Sequence, residues 1–325
     1  LAGGASLTIA GLNGLPESFN GIPTIDATGA GANAGGLIGE AGEGAAVTLA
    51  SNVDVSALSV VGKNAAGGLI GKTNKITLSV GAGNNGKDAS GKDISVKPAR
   101  AVGSSPAGMY EDGHVDYATY AGGLIGDASF ADPFTINSGI FDFGEGVALS
   151  VSNTSVSPSA GGLFGVLDIS NGDVTVNGGL YTSTLQNGTD NSNNNGVRGN
   201  YGGLVGKLWG QKYGDALHAF TVKGGAEASF GVGPKGNLTY AGGLVGYLGE
   251  GGGSDNVSAV VIGDATATCA TSGYASNNGK YGGAVGVVDT NNVLEVRGLK
   301  VETASGATIG GSNGGFAGVV GSSWL

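Results

Sequence analysis

Gly202-Gly203-Leu204-Val205-Gly206-Lys207-Leu208 decides how this chain is read, because its first five residues recur along nearly the whole length. The phrase is GGLIG at Gly35 to Gly39, Gly67 to Gly71 and Gly122 to Gly126, then GGLFG at Gly161 to Gly165. It returns as GGLVG at Gly202 to Gly206 and Gly242 to Gly246, GGAVG at Gly282 to Gly286 and GGFAG at Gly314 to Gly318. The offsets between copies are 32, 55, 39, 41, 40, 40 and 32 residues. Eight copies at a spacing near 40 residues mark a repeat architecture, for which a count of globular domains has no meaning.

Between the phrases lie short runs such as Lys75-Ile76-Thr77-Leu78-Ser79-Val80, Asp173-Val174-Thr175-Val176 and Val293-Leu294-Glu295-Val296. They alternate, are rich in β-branched residues and are bounded by Gly, Asn, Asp and Ser, which is how strands read. About three strands per repeat are expected. One repeat has too little apolar surface to fold alone, so it must stack on its neighbours. The expected fold is all-β, a right-handed parallel β-solenoid (β-helix) of about eight coils of roughly 40 residues, with residues 1–325 forming one segment. The 55-residue interval places a loop insertion at about 81–120.

Strict alternation along the phrase puts Leu204, Gly206 and Leu208 on the core side. The opposite side then carries the apolar row Ile38, Ile70, Ile125, Phe164, Val205, Val245 and Val285. Two readings of that row stand: the chain's own loops cover it, as in strands buried on both faces, or it is a lateral interface for a homo-oligomer. The leading glycine pair is expected to supply a corner with unusual φ and ψ, and the third glycine to admit close packing of a larger neighbour. Tyr120, Tyr201, Tyr240 and Tyr281, just ahead of their glycine pairs, are expected to stack as an aromatic ladder.

Composition agrees with this reading. Of 325 residues, 69 are Gly, only 7 are Pro and 12% are charged, which excludes collagen, a charge-solvated disordered chain and long helices. The net charge of −10, with no basic run, gives no footprint for nucleic acid. No window reaches the roughly 20 apolar residues of a membrane helix. A single cysteine, Cys269, excludes an internal disulfide and a cysteine metal cluster. Apolar stretches at both termini imply that further coils or another domain adjoin, so the chain is expected to be a piece of a longer protein.

Tests for chemistry return little. Gly81 to Gly86 and Gly231 to Gly236 match the dinucleotide glycine fingerprint, but neither opens a helix pattern. His114 and His218 are the only imidazoles and lie near no nucleophile motif. Carboxylates gather at Glu111, Asp112 and Asp116, and again at Asp142 and Glu145, as a β-helical glycosidase would require. Fragments of Thr-x-Thr, as in Thr182-Ser183-Thr184 and Thr266-Ala267-Thr268, are too scattered for a flat ice-binding face. No catalytic residue, metal or cofactor is assigned. Contact with a partner is expected from loops carrying Tyr110, Glu111, Asp112, His114, Asp116, Asp190 and Asn194.

The eight copies of GG-[LAF]-[IFVA]-G resemble the GLUG-type repeat of large exported bacterial surface proteins, departing from it at Ala284 and Phe316-Ala317. That resemblance implies a non-catalytic stalk, spacer or adhesive filament outside the cell, on a bacterial surface. Its partner would be a protein or glycan on a cell surface, or further copies of itself. The alternative is a carbohydrate-binding or carbohydrate-cleaving β-helix.

Overall fold

The structure is a computed structural model that describes residues 1–13, 23–27, 31–104, 119–151, 158–187, 199–212, 217–235, 238–249, 258–270, 275–303 and 315–323. Within them the chain winds through eight coils, each laying one strand on each of four faces. In coil 5 these are Val174–Asn177 on face I, Leu180–Asn187 on face II, Asn200–Gly202 on face III and Val205–Trp209 on face IV. Every strand pairs in parallel with its equivalent one coil away, so faces II, III and IV are each continuous eight-stranded sheets. At about 4.8 Å per rung, the stack is on the order of 35–40 Å long. The parallel β-solenoid expected from the phrase is therefore the fold, with four strands per coil where three were expected.

Face I is the one face that changes. In coils 1–3 it is Ser6–Ile9, Ala46–Leu49 and Thr77–Val80, followed by the two-residue strands Leu12–Asn13, Val53–Asp54 and Val96–Lys97. From coil 4 onward it is a separate five-stranded sheet beginning at Phe134–Asn137, and ahead of the change Ile76 and Phe130 form an isolated parallel bridge. Of the loop insertion expected at about 81–120, residues 105–118 lie outside the described residues. Val96–Lys97 and Ala101–Ser104 are ordinary rungs, and the described excursion is confined to a short stretch in which Lys87 pairs antiparallel with Asp93.

Alternation builds the core. Ile136, Val176, Val222 and Ile262 form one column at 0% exposure, while Thr135, Thr175 and Thr221 stand half-buried on the other side of the same strands. The polar positions at the corners stack too: Asn177 Nδ2 donates to Asn137 Oδ1 at 3.1 Å, and Asn64 Nδ2 to Asn33 Oδ1 at 3.1 Å. Such ladders satisfy side-chain amides where the backbone leaves the sheet.

Candidate functional site: the glycine corner and the ends of the stack

The phrase forms the corner between faces III and IV. In coil 5 the Leu204 and Val205 N–H groups both donate to the Leu244 carbonyl of coil 6, at 2.9 and 3.0 Å. The same doubled bond recurs at every junction, ending with Ala284 and Val285 donating to Val319 at 3.0 Å. None of the glycines in this corner has a left-handed φ. The corner therefore uses no left-handed glycine, and clearance is the reason for glycine here. A Cβ on Gly203 would run into the carbonyl oxygen of Gly243 one coil on, and a Cβ on Gly206 would lie 2.6 Å from the Ala160 nitrogen one coil back. Those neighbours are backbone rather than a large side chain, so neither can yield.

Left-handed glycines are found at the other corners. Gly44, with φ of 73°, turns the chain from face IV into face I, and Gly4 at 69° and Lys75 at 46° hold the equivalent positions ahead of their own face I strands. Gly178 and Gly224, at 71° and 69°, turn it from face I to face II.

The eighth phrase needs correction. Tyr281 pairs with Phe316, Gly282 with Ala317 and Val285 with Val320, so the structural repeat is Ala317-Gly318-Val319-Val320-Gly321 and not Gly314 to Gly318. The apolar row is corrected as well. Ile38 and Ile70 are 7% and 2% exposed, and Ile125, Phe164, Val205, Val245 and Val285 are 0% exposed, all in the same core cluster as Leu69, Leu124, Leu163, Leu204 and Leu244. The ladder skips the third glycine, passing from the pair Val205–Val245 to the pair Lys207–Tyr247, and burial alternates only beyond it. Both apolar residues of the phrase therefore enter the core, and no exposed row is left for lateral association.

The tyrosine ladder does not form. Tyr120 and Tyr240 belong to one column and Tyr201 and Tyr281 to the next, with Ala241 between the latter two. Tyr201 stacks on Phe230 at 6.5 Å, and Tyr240 lies 5.6 Å from Tyr247. The missed signal was the spacing Gly-x-Tyr. Tyr181, Tyr201 and Tyr281 each lay their ring over the glycine two residues earlier, Gly179, Gly199 or Gly279, where a Cβ would collide with it. Tyr181 Oη also donates to the Gly178 carbonyl at 2.9 Å, and burial holds its phenol well above its ordinary pKa.

Of the contact loops, Tyr110, Glu111, Asp112, His114, Asp116, Asp190 and Asn194 lie outside the described residues. His218 Nδ1 lies 3.4 Å from Asp173 Oδ1, which also accepts the Ala219 N–H at 2.8 Å. Asp142 accepts the Gly144 N–H at 2.8 Å, a turn contact. The stretch from Gly81 to Gly86 is a tight turn with left-handed φ at all three glycines, and Gly231 to Lys235 is strand, so neither cradles a phosphate at a helix start. Thr182, Ser229, Thr268 and Glu302 share one outward column of face II, a mixed column rather than a threonine array. On face IV, Asp127 Oδ2 sits 3.1 Å from Lys72 Nζ. Burial pushes its pKa up against the pull of that lysine.

Among the described residues no group of three or more His, Cys, Asp or Glu could hold a metal ion, and no helix is long and apolar enough to cross a membrane. A concavity of about 760 Å³ at the last coil is lined in part by Asp289, Asn292, Leu294, Val320 and Ser322. There Asp289 accepts from Tyr247 Oη at 2.9 Å and from the Thr290 N–H at 2.8 Å, tying one coil to the next.

Fold and corner together define a glycine-cornered parallel β-solenoid. Compared with protein-family models, curated proteins and solved structures, the chain gives no significant match to any of them.

Proposed function

We propose that the chain is a non-catalytic structural segment, a stalk, spacer or filament unit, of an exported bacterial surface protein. The observation that supports this reading is the continuity of the stack. Three sheets of eight strands run through all eight coils, and the recurring phrase builds the corner of each of them. A rod of fixed rise per coil sets a distance, which is what a spacer on a surface supplies. The sequence resemblance to GLUG-type repeats agrees with that role and with a place outside the cell. Contact with a protein or glycan partner is assigned to the loops between faces II and III.

The test is display. The segment is placed between a surface anchor and a tagged head domain, and the height of the tag above the membrane is measured by fluorescence interference. Deleting coils 5 and 6 should lower the tag by two rungs, about 10 Å, without loss of folding. A tag height independent of coil number, or turnover of a polysaccharide by the isolated segment, would overturn the reading.

A further inference from the structure

We infer that the outer side of face IV, at coils 4 to 6, is a binding site for a neutral polysaccharide chain laid along the stack, with Trp209 as the stacking platform and Asp168 as the acceptor for its hydroxyls. The inference rests on the reading of the chain as a surface segment, names the class of partner, and adds a site outside the loops between faces II and III.

Burial picks out the place. Phe130, Phe134, Phe164, Phe220 and Phe230 are 0–1% exposed, and Tyr181, Tyr201, Tyr240 and Tyr281 are buried as well. Among the described side chains the partly exposed aromatics are Tyr120, Trp209 and Tyr247. Two of these are neighbours on face IV. Lys207 pairs with Tyr247, which sets Trp209 two residues further along the adjacent strand, about 8 Å from Tyr247. Tyr247 is held in place by its hydroxyl, which donates to Asp289 Oδ2 at 2.9 Å.

Polar groups converge on the indole. Register places Asp168 one rung before Trp209, and the Gly249 N–H, donating to the Leu208 carbonyl at 2.8 Å, places Gly249 one rung after it. The column therefore carries no side chain on the coil 6 side of the ring. Asp168 Oδ1 accepts the Ser170 N–H at 2.8 Å, whereas Asp168 Oδ2 and the Trp209 indole N–H have no hydrogen-bond partner and are not sealed from solvent. The backbone beneath is fixed, with the Ile169 N–H donating to the Trp209 carbonyl at 2.9 Å.

An apolar ring with a donor at its edge, beside a carboxylate oxygen with nothing to accept, suits a pyranose. The C–H face of the sugar packs on the indole, the indole N–H donates to a sugar oxygen, and Asp168 Oδ2 accepts from an equatorial hydroxyl. The geometry favours a chain over a single sugar. Rungs about 4.8 Å apart are close to the advance of a pyranose chain per residue, so successive sugars would meet successive coils. Charge selects against acidic glycans, because Asp127, Asp168 and Asp289 lie on this face of a chain with a net charge of −10.

The experiment is titration of the 325-residue chain with cellohexaose, mannohexaose and chitohexaose, read by tryptophan fluorescence. The chain has two tryptophans, so a Trp324→Phe background leaves Trp209 as the reporter. The expected result is a saturable change with at least one of the three and none with oligogalacturonate. By calorimetry, Trp209→Ala should weaken binding about tenfold or more, Trp209→Tyr should retain most of it, and Asp168→Asn should weaken it by about three- to tenfold. Leu180→Ala, at a side chain 61% exposed on face II, should leave affinity unchanged. Denaturation midpoints recorded in parallel report folding. No binding of any neutral hexasaccharide, binding indifferent to Trp209→Ala in a folded chain, or binding confined to the acidic glycan would overturn the inference. A chain that binds no sugar and still sets the height of a tag would leave the proposed function standing, so the two can fail separately.

Discussion

The corner between faces III and IV and the corners around face I use the same residue for different reasons. At the first, glycine has no left-handed φ and is required because backbone from the neighbouring coil occupies the place of its Cβ. At the others, glycine takes a left-handed φ, often with open space around it: a Cβ on Gly44 would come no nearer than 3.9 Å to Gly4. Clearance against rigid backbone cannot be relieved by rotating a side chain, whereas a left-handed φ has a bounded cost even for an L-residue. The difference explains why the phrase tolerates Leu, Ala or Val at its centre while its second and third glycines stay fixed in register, and why Lys75 can stand where coils 1 and 2 have Gly4 and Gly44.

Three substitutions break or sharpen this comparison. The largest effect is expected for Gly206→Ala, whose Cβ would be wedged 2.6 Å from the Ala160 nitrogen. Overpacking against backbone should cost about 3 kcal/mol or more, measured by chemical denaturation. Gly44→Ala pays only for its left-handed conformation, about 1–2 kcal/mol by the same measurement. Lys75→Gly should reverse that sign and stabilise by up to about 1 kcal/mol, since the strained φ of 46° is relieved while an exposed ion pair with Glu43 worth little is lost.

The smallest effect is a pH dependence at Asp127, the residue after a clearance glycine. Its folded pKa lies above the ordinary 3.8 through burial, against the pull of Lys72. Its contribution to stability is therefore full below that value and is lost as pH rises through the raised one. Asp127→Asn removes this loss, so the variant should gain on the parent chain between acid and neutral pH. Parallel pH–stability curves for the two chains would contradict the assignment.

Much of the fold was legible because the phrase repeats. Its constancy announced stacked coils, and the alternation in runs such as Val174-Thr175-Val176 marked the core column correctly. What misled was local ambiguity. GGFAG and Ala317-Gly318-Val319-Val320-Gly321 overlap and share Gly318, and only the pairing of Tyr281 with Phe316 selects the second. The period of two failed at the third glycine, where the ladder skips a residue, so Val205 was assigned to the wrong side. Nor does spacing distinguish a clearance glycine from a left-handed one, because that depends on a strand about 40 residues away. The contact loops were legible only as polar sequence.

The most direct measurement compares Gly283→Ala with Gly318→Ala by chemical denaturation. The two positions are equivalent in register, and a Cβ would meet the Gly318 carbonyl oxygen at the first and nothing within 4 Å at the second. If glycine is required here for clearance, Gly283→Ala loses about 3 kcal/mol or more and Gly318→Ala stays within about 0.5 kcal/mol of the parent. Equal losses at both positions would show that the corner demands glycine for its own conformation and would contradict the account.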